Sequence, residues 1–487
     1  MDGVYLRKIE RLIGGAKPRV LDLFAGCGGL SLGFQRAGFE IAAAIEVDPV
    51  AADSHARNFH GADKATHAAH GIARDITRIE PQEFADTLDL GPVEAAFDVV
   101  VGGPPCQAYA RVGRAKLREI VAHPEAFKID PRANLYTRYL HYVRATKPLA
   151  LMMENVPDIL NFGGHNVMQE IAEVLDDEGY NVAYSLLNSA HHGVPQMRDR
   201  VFMVAFRSEL QVRPKMPAAT HYCDLPIGYA GTRSVALKQV KASESSHYVD
   251  PDIGDESLPN AVSAREALGD LPPIMLHQEG KLKRGARRFT ELARYRSECQ
   301  PSDFAQRMRT WPGFENAVGV YDHVLRYLPR DTEIFRHMTQ GDEYPAASRV
   351  AVHLFENEAR AQALKPSSAA WQSLRARMVP PYPVHNFPNR WWKLREDKPS
   401  RTLMAHIGKD TYSHIHYDSR QARVISVREA ARLQSFPDGF VFSGTMNPAF
   451  RQIGNAVPPL MATAIAEQMM CSLERAIPAM SRLQAAE

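Results

Sequence analysis

The chain has 487 residues, enough for two or more domains, and 45% of them are hydrophobic, enough for a sizeable core. Its formal net charge of +2 names no partner, because a near-neutral total can still hide a local basic face. No run of about 18 apolar residues occurs, and the opening MDGVYLRKIERLIGG lacks the apolar centre of a secretory signal, so neither a membrane span nor export is expected. The cysteines (Cys27, Cys106, Cys223, Cys299, Cys471) are scattered, odd in number and without a CxxC pair. That pattern disfavours a disulfide framework and a thiolate zinc site, and it fits a reducing, cytoplasmic setting.

In chain order, VLDLF (20–24) is a short apolar run closed by glycines and predicts a strand. LSLGFQRAG (30–38) predicts a helix stopped by Gly38, and FEIAAAIE (39–46) a second strand. DPVAADSHARNF opens on an Asp-Pro pair suited to a helix entrance. FDVVVGG (97–103) predicts a strand, LYTRYLHYVRATKP (135–148) a helix closed by proline, and ALMMENV (150–156) a strand. VMQEIAEVLDDEGY predicts a helix and VFMVAF (201–206) another strand. Strands apolar on both sides and separated by helices imply an α/β fold with a doubly wound, mostly parallel sheet.

Around Ser208 this rhythm breaks. From there to about Ser400 the chain is rich in proline and loops, and it carries Trp311, Trp371, Trp391, Trp392 and the basic run KLKRGARR (281–288). A second, irregular domain is expected over 208–400. REAARLQSFPD (428–438) and LMATAIAEQMM (460–470) look compact again, so 401–487 is expected to return to the first domain, 18–207.

Three stretches carry candidate chemistry. VLDLFAGCGGLSLGF places Gly26, Gly28 and Gly29 between a strand and a helix, where a ligand can approach the helix N-terminus. Glu46 follows at the spacing of an acid that grips ribose hydroxyls, so a nucleoside-containing cofactor is expected, either a dinucleotide or S-adenosylmethionine. The loop has no lysine and is not a triphosphate loop. GGPPCQAY sets Cys106 behind two glycines and two prolines at a strand end, a rigid frame that a buried structural cysteine would not need. Glu154 in MENVP ends the next strand, where desolvation can keep a carboxyl protonated. Arg198 and Arg200 in QMRDR alternate along a strand and so share a face that could grip a carbonyl or a phosphate.

The order FxGxGG, PPCQ, ENV, QxRxR and finally QIGNAVPP (452–459) resembles the motif series of the DNA cytosine-5 methyltransferases, over about residues 18–207 and 400–470. The resemblance implies the S-adenosylmethionine-dependent methyltransferase fold, with the 208–400 insert as a target recognition domain. It implies Cys106 as the nucleophile at cytosine C6, Glu154 as donor to N3, and Arg200, beside Arg198, at O2. It implies Phe24 and the Gly26–Gly29 turn at the methionine and adenine ends of the cofactor, Glu46 at the ribose, and Asp75 with Ile76 near adenine. Asn455 would close that pocket from the C-terminal side. Val47 stands where the family often has tryptophan, and Ala133-Asn134-Leu135 where it has Gly-Thr-Leu. The expected substrate is double-stranded DNA with the target base flipped out of the stack. A restriction or defence setting with a cognate partner, and a monomeric state, are expected with it.

Three rivals are an RNA methyltransferase of a related branch, a silent DNA-binding relative and a dinucleotide oxidoreductase. The long insert favours DNA over RNA, the intact motif residues favour catalysis, and an oxidoreductase leaves PPCQ and ENVP unexplained. AHIGKDTYSHIHYD (405–418) holds His406, His414 and His416, but no third ligand has metal-binding spacing, so a structural or DNA-facing role is expected.

Overall fold

The computed structural model describes residues 3–105, 134–241, 246–281, 290–326, 328–386, 388–408 and 412–484; Cys106 and nearly all of the 281–288 run lie outside them. Helix α1 (Gly3–Ile13) comes first. It is anchored by the buried Lys8, whose Nζ donates to the carbonyls of Phe97, Thr146 and Lys147 at 2.5, 2.7 and 2.7 Å. Then come β1 (Arg19–Leu23), α2 (Gly29–Arg36), β2 (Glu40–Ile45), α3 (Pro49–Phe59) and β3 (Val99–Gly102). Helix α4 (Asn134–Thr146), β4 (Ala150–Asn155), α5 (Val167–Asp177), β5 (Tyr180–Asn188) and β6 (Asp199–Arg207) complete the sheet region.

These strands form one sheet in the order β2-β1-β3-β4-β6-β5. All run parallel except β6, which is antiparallel to both β4 and β5. Alternation along each strand feeds two cores. Val99 and Val101 of β3 share one with residues of α1 and α2, while Val100 shares the other with α4 and α5. A sheet covered on both faces explains why the parallel strands read as continuous apolar runs. Strand β5 and helix α1 are not among the expected elements. In β5, Asn181, Tyr184 and Ser185 interrupt the apolar pattern, and Tyr184 instead takes a parallel bridge to Tyr248.

The expected boundary at 208 does not coincide with a break in packing. Helix α6 (Ile227–Ala236) contributes Ala236 to the core beneath α4 and α5, and Val262 to Val320 share the core of α2. A separate pair of small cores lies further on, around α7 (Tyr344–Ala361), α8 (Ala369–Met378), β7 (Trp391–Lys393) and β8 (Tyr412–Ile415). Of the four tryptophans, Trp391 and Trp371 belong there, whereas Trp311 and Trp392 are part of the larger core.

The chain then adds α9 (Val427–Leu433), α10 (Met446–Asn455) and α11 (Pro459–Gln484), the last packed along α2. Around α9 a buried ionic network binds distant segments. Arg432 meets Asp270 at 2.9 Å and Asp438 at 2.6 Å, Arg428 meets Asp322 at 2.7 Å, and Arg423 holds both oxygens of Glu429 at 2.6 and 2.7 Å.

Candidate active site

In an open α/β sheet, ligands sit beyond the carboxyl ends of the strands where the strand order reverses. Here the chain goes from β1 to β2 on one side and to β3 on the other. A cavity of about 520 Å³ opens at that point. Strand ends β1 to β4 all reach it, and the antiparallel β6 brings its first residues to the same edge, with Asn155 opposite Val201.

One half is built on the turn after β1. Phe24 (φ 60°) bends the chain, and Gly26 (φ 56°) has open space where a side chain would stand. Phe24, Gly26 and Gly29 line the cavity. Gly28 is not among the lining residues. Its φ is 102°, and a Cβ there would lie 2.3 Å from the ring of Phe59. At Gly28 the missing side chain lets the turn press against α3. Glu46, just past β2, accepts the amides of Gly26 at 2.8 Å and Asp48 at 2.7 Å, so it holds the turn while lining the cavity. Burial pushes its carboxyl above the usual range, against those amides. Val47, 65% exposed, lines the cavity with Asp75, Ile76 and Asn455. Asp75 also caps its own turn by accepting from Thr77.

The other half gathers β3, β4 and β6. Pro104 and Pro105 line the cavity and lead directly into Cys106, whose expected role falls outside the described residues. Among those residues no cysteine lines the cavity. Cys27 is buried, its thiol is pushed up by that burial, and its sulfur faces the Gln452 carbonyl at 3.8 Å. Glu154 Oε1 pairs with Arg200 Nε at 2.9 Å. A Cβ on Gly103, just past β3, would come 2.9 Å from the other oxygen, Oε2, so a side chain there would push the Glu154 carboxyl out of this place. Burial raises the Glu154 pKa above the ordinary carboxylate value, while Arg200 and Arg198 oppose the shift.

Arg198 lines the cavity but does not aim a free guanidinium into it. Its Nη1 and Nη2 donate to the carbonyls of Leu403 at 3.0 Å and Gly454 at 2.9 Å. Desolvation lowers its pKa, yet a guanidinium stays charged in proteins. Two arginines therefore stand beside one carboxyl, an excess of positive charge suited to an electron-rich guest.

Asn155 is a residue the motif reading passed over. Its Nδ2 donates to the Pro104 carbonyl at 2.8 Å, fixing the Pro-Pro loop to β4. Its place in MENVP, one residue after Glu154, is the signal that could have found it. Arg451 was also missed. It reaches Asp48 at 2.5 Å and joins α10 to the Glu46 loop. No spacing rule in the sequence connects those two. The histidines take structural places. His414 Nε2 faces the Arg401 carbonyl at 3.1 Å, His416 accepts the Asp418 amide at 3.0 Å, and His406 is exposed.

A family model described as C-5 cytosine-specific DNA methylase matches residues 18–471. A protein of Oceanobacillus iheyensis described as a type II methyltransferase is 39% identical over 458 residues, covering 94% of this chain and 96% of its own. The type II methyltransferase M.AgeI of Thalassovita gelatinovora is 29% identical over 479 residues, covering 93% and 100%. Among solved structures, one described as a prophage-encoded DNA modification methyltransferase from E. coli matches with a TM-score of 0.57 at 20% identity. It covers 94% of this chain and 100% of that one, a likeness of fold.

Proposed function

The chain belongs to the C-5 cytosine-specific DNA methylase family, and from that premise we propose how its own residues divide the reaction. The enzyme methylates cytosine at C5 in DNA, at a specific sequence. The cavity suits an adenosyl cofactor. Gly26 leaves room, Glu46 can still accept from ribose hydroxyls, and Val47 and Ile76 offer apolar surface for a base. S-Adenosylmethionine, when bound there, supplies an electrophilic methyl group on a sulfonium.

Cytosine C5 is too weak a nucleophile for that methyl. Addition of the Cys106 thiolate at C6 would form a C–S bond and move the ring electrons towards C5, N3 and O2. Glu154, its proton favoured by burial, donates to N3, and Arg200 meets O2. Arg200 thereby has two tasks, orienting Glu154 and receiving charge from the ring. After C5 is methylated, a base takes the C5 proton, and the electrons of that C–H bond restore the ring and expel the cysteine as its thiolate. Asn155 keeps the Pro104 end of the loop in place throughout.

The observation that carries this reading is one cavity with the Glu46 turn on one wall and the Glu154–Arg200 pair on the other. A base in a duplex cannot reach that depth without leaving the stack. The type II names of the relatives support a chain that modifies DNA beside a cognate nuclease. No helix among the described residues is long and apolar enough to cross a membrane.

The test is incubation with methyl-labelled S-adenosylmethionine and mixed-sequence duplex DNA together with transfer RNA, followed by base analysis of each. The expected label is on cytosine C5, and sequencing the methylated sites then gives the recognition sequence. Label confined to transfer RNA, or to another atom of DNA, would contradict the reading.

A further inference from the structure

The first arginine of QMRDR joins three segments. Ser400 pairs with the stretch before β6: its amide donates to the Pro195 carbonyl at 2.9 Å, and the Met197 amide donates back to Ser400 at 2.8 Å. Thr402 Oγ1 donates to Met197 O at 2.8 Å, and the Leu403 amide donates to Gln196 Oε1 at 2.8 Å. This strap continues from the small module around β7 and β8. Arg401, on the strap, stacks 4.6 Å over Trp392 and pairs with Glu343 at 2.6 Å.

Arg198 fastens the strap to the cofactor wall by donating to Leu403 O and Gly454 O at once. Gly454 sits so close to the strap that a Cβ would lie 2.6 Å from the Ala405 nitrogen. Gly454, Asn455 and Ala456 line the cavity, and Arg200, two residues after Arg198, holds Glu154. One fully buried guanidinium thus touches the strap on one side and the cofactor wall on the other, beside the catalytic acid. The planar fork serves these two carbonyls from two separate nitrogens held in fixed directions, whereas a lysine would have to reach both from one nitrogen on a shorter head.

We propose that Arg198 is a positioning residue that couples cofactor occupancy to DNA engagement, transmitting through Leu403 and Gly454 rather than by touching the cytosine. This rests on the reading of the cavity as the methyl-transfer site and of the 208–400 insert, whose end runs into the strap, as the target recognition domain. Coupling between two ligands is reciprocal, so it can be read from either side.

The experiment measures the affinity of a duplex bearing the methylated site, with and without S-adenosylhomocysteine, in three proteins. In the wild type the analogue tightens DNA binding on the order of tenfold. In Arg198→Lys the factor falls below about twofold, and in Thr402→Val, which removes one strap bond, it falls part of the way. Melting temperature is followed in each. A purely structural role lowers the melting temperature and weakens binding while leaving the factor unchanged. A wild-type factor in Arg198→Lys overturns the proposal, as does its retention in Thr402→Val should the lysine variant not fold. A wild type that methylates DNA but shows no coupling also overturns it and leaves the assigned reaction standing. A wild type that labels no cytosine contradicts the assigned reaction itself.

Discussion

Glu154 stands between opposing influences, with burial favouring its proton and Arg200 and Arg198 favouring its charge. If the proton it lends to N3 matters, Glu154→Gln should lower the single-turnover rate about 10²–10⁴-fold with little change in cofactor affinity. A loss confined to KM would contradict that role. Asp22 gives a second test at this scale. It is fully buried under the glycine turn, accepts from Ser31 Oγ at 2.6 Å, and burial pushes its carboxyl up to about 7. The unfolded chain releases this proton near its ordinary pKa, and the folded chain holds it longer. The stability it contributes is therefore full below about pH 4 and is lost as pH rises through about 7. Asp22→Asn should melt like the wild type in mild acid and be more stable above neutrality, by about 2–4 kcal/mol. A difference that does not grow with pH would contradict the assignment. Glu46, Glu154 and Arg200 were legible because their motifs occur in order along the chain. What Gly28 and Arg198 pack against was not. A sequence marks a glycine or an arginine without telling whether it faces a ligand or another piece of backbone.

Among the elements, α9 is held by charges that nothing outside can reach. Glu429 accepts both arms of Arg423 and closes a capping box with Ser426. That pairing, reinforced by the nearby histidines, holds its carboxyl well below the usual range despite burial. A depressed carboxylate contributes stability above its unfolded pKa and loses it as pH falls through the folded one. Glu429→Gln should cost about 3–5 kcal/mol at neutral pH, because Arg423 is left buried without its counter-charge. Denaturant melts should show this gap narrowing in strong acid, and an equal gap at all pH values would point to packing instead. The parallel strands were readable because they are apolar on both faces. Strand β5 was not, since Tyr184 bridges by its backbone to Tyr248 and Asn181 donates to the Val212 carbonyl, partners far along the chain. The periodicity of REAARLQSFPD hints at a compact helix but says nothing of its partners Asp270 and Asp322, more than a hundred residues upstream.

At the scale of the molecule, the expected division at 208 followed a change in sequence rhythm, whereas packing follows apolar surface. Residues 262–320 are irregular in sequence yet share the sheet domain's core, and the distinct small cores begin only near Leu328. The strap that meets Arg198 runs from the small cores back to the sheet domain. Binding of non-cognate duplex should be salt-dependent, with log affinity falling linearly in log salt and a slope set by the number of phosphates neutralised. Salt-independent binding would contradict contacts to the DNA phosphates.

The proposed covalent attack by Cys106 at cytosine C6 is tested most directly with a duplex bearing 5-fluorocytosine at the methylated site. Fluorine at C5 cannot leave as a proton does, so the last elimination stalls and the protein stays bonded to C6. The account predicts a complex that survives denaturation, requires S-adenosylmethionine, yields a DNA-bearing peptide containing Cys106, and is absent from Cys106→Ala. No such complex from a protein that methylates ordinary duplex, or a bond to any other residue, would contradict it.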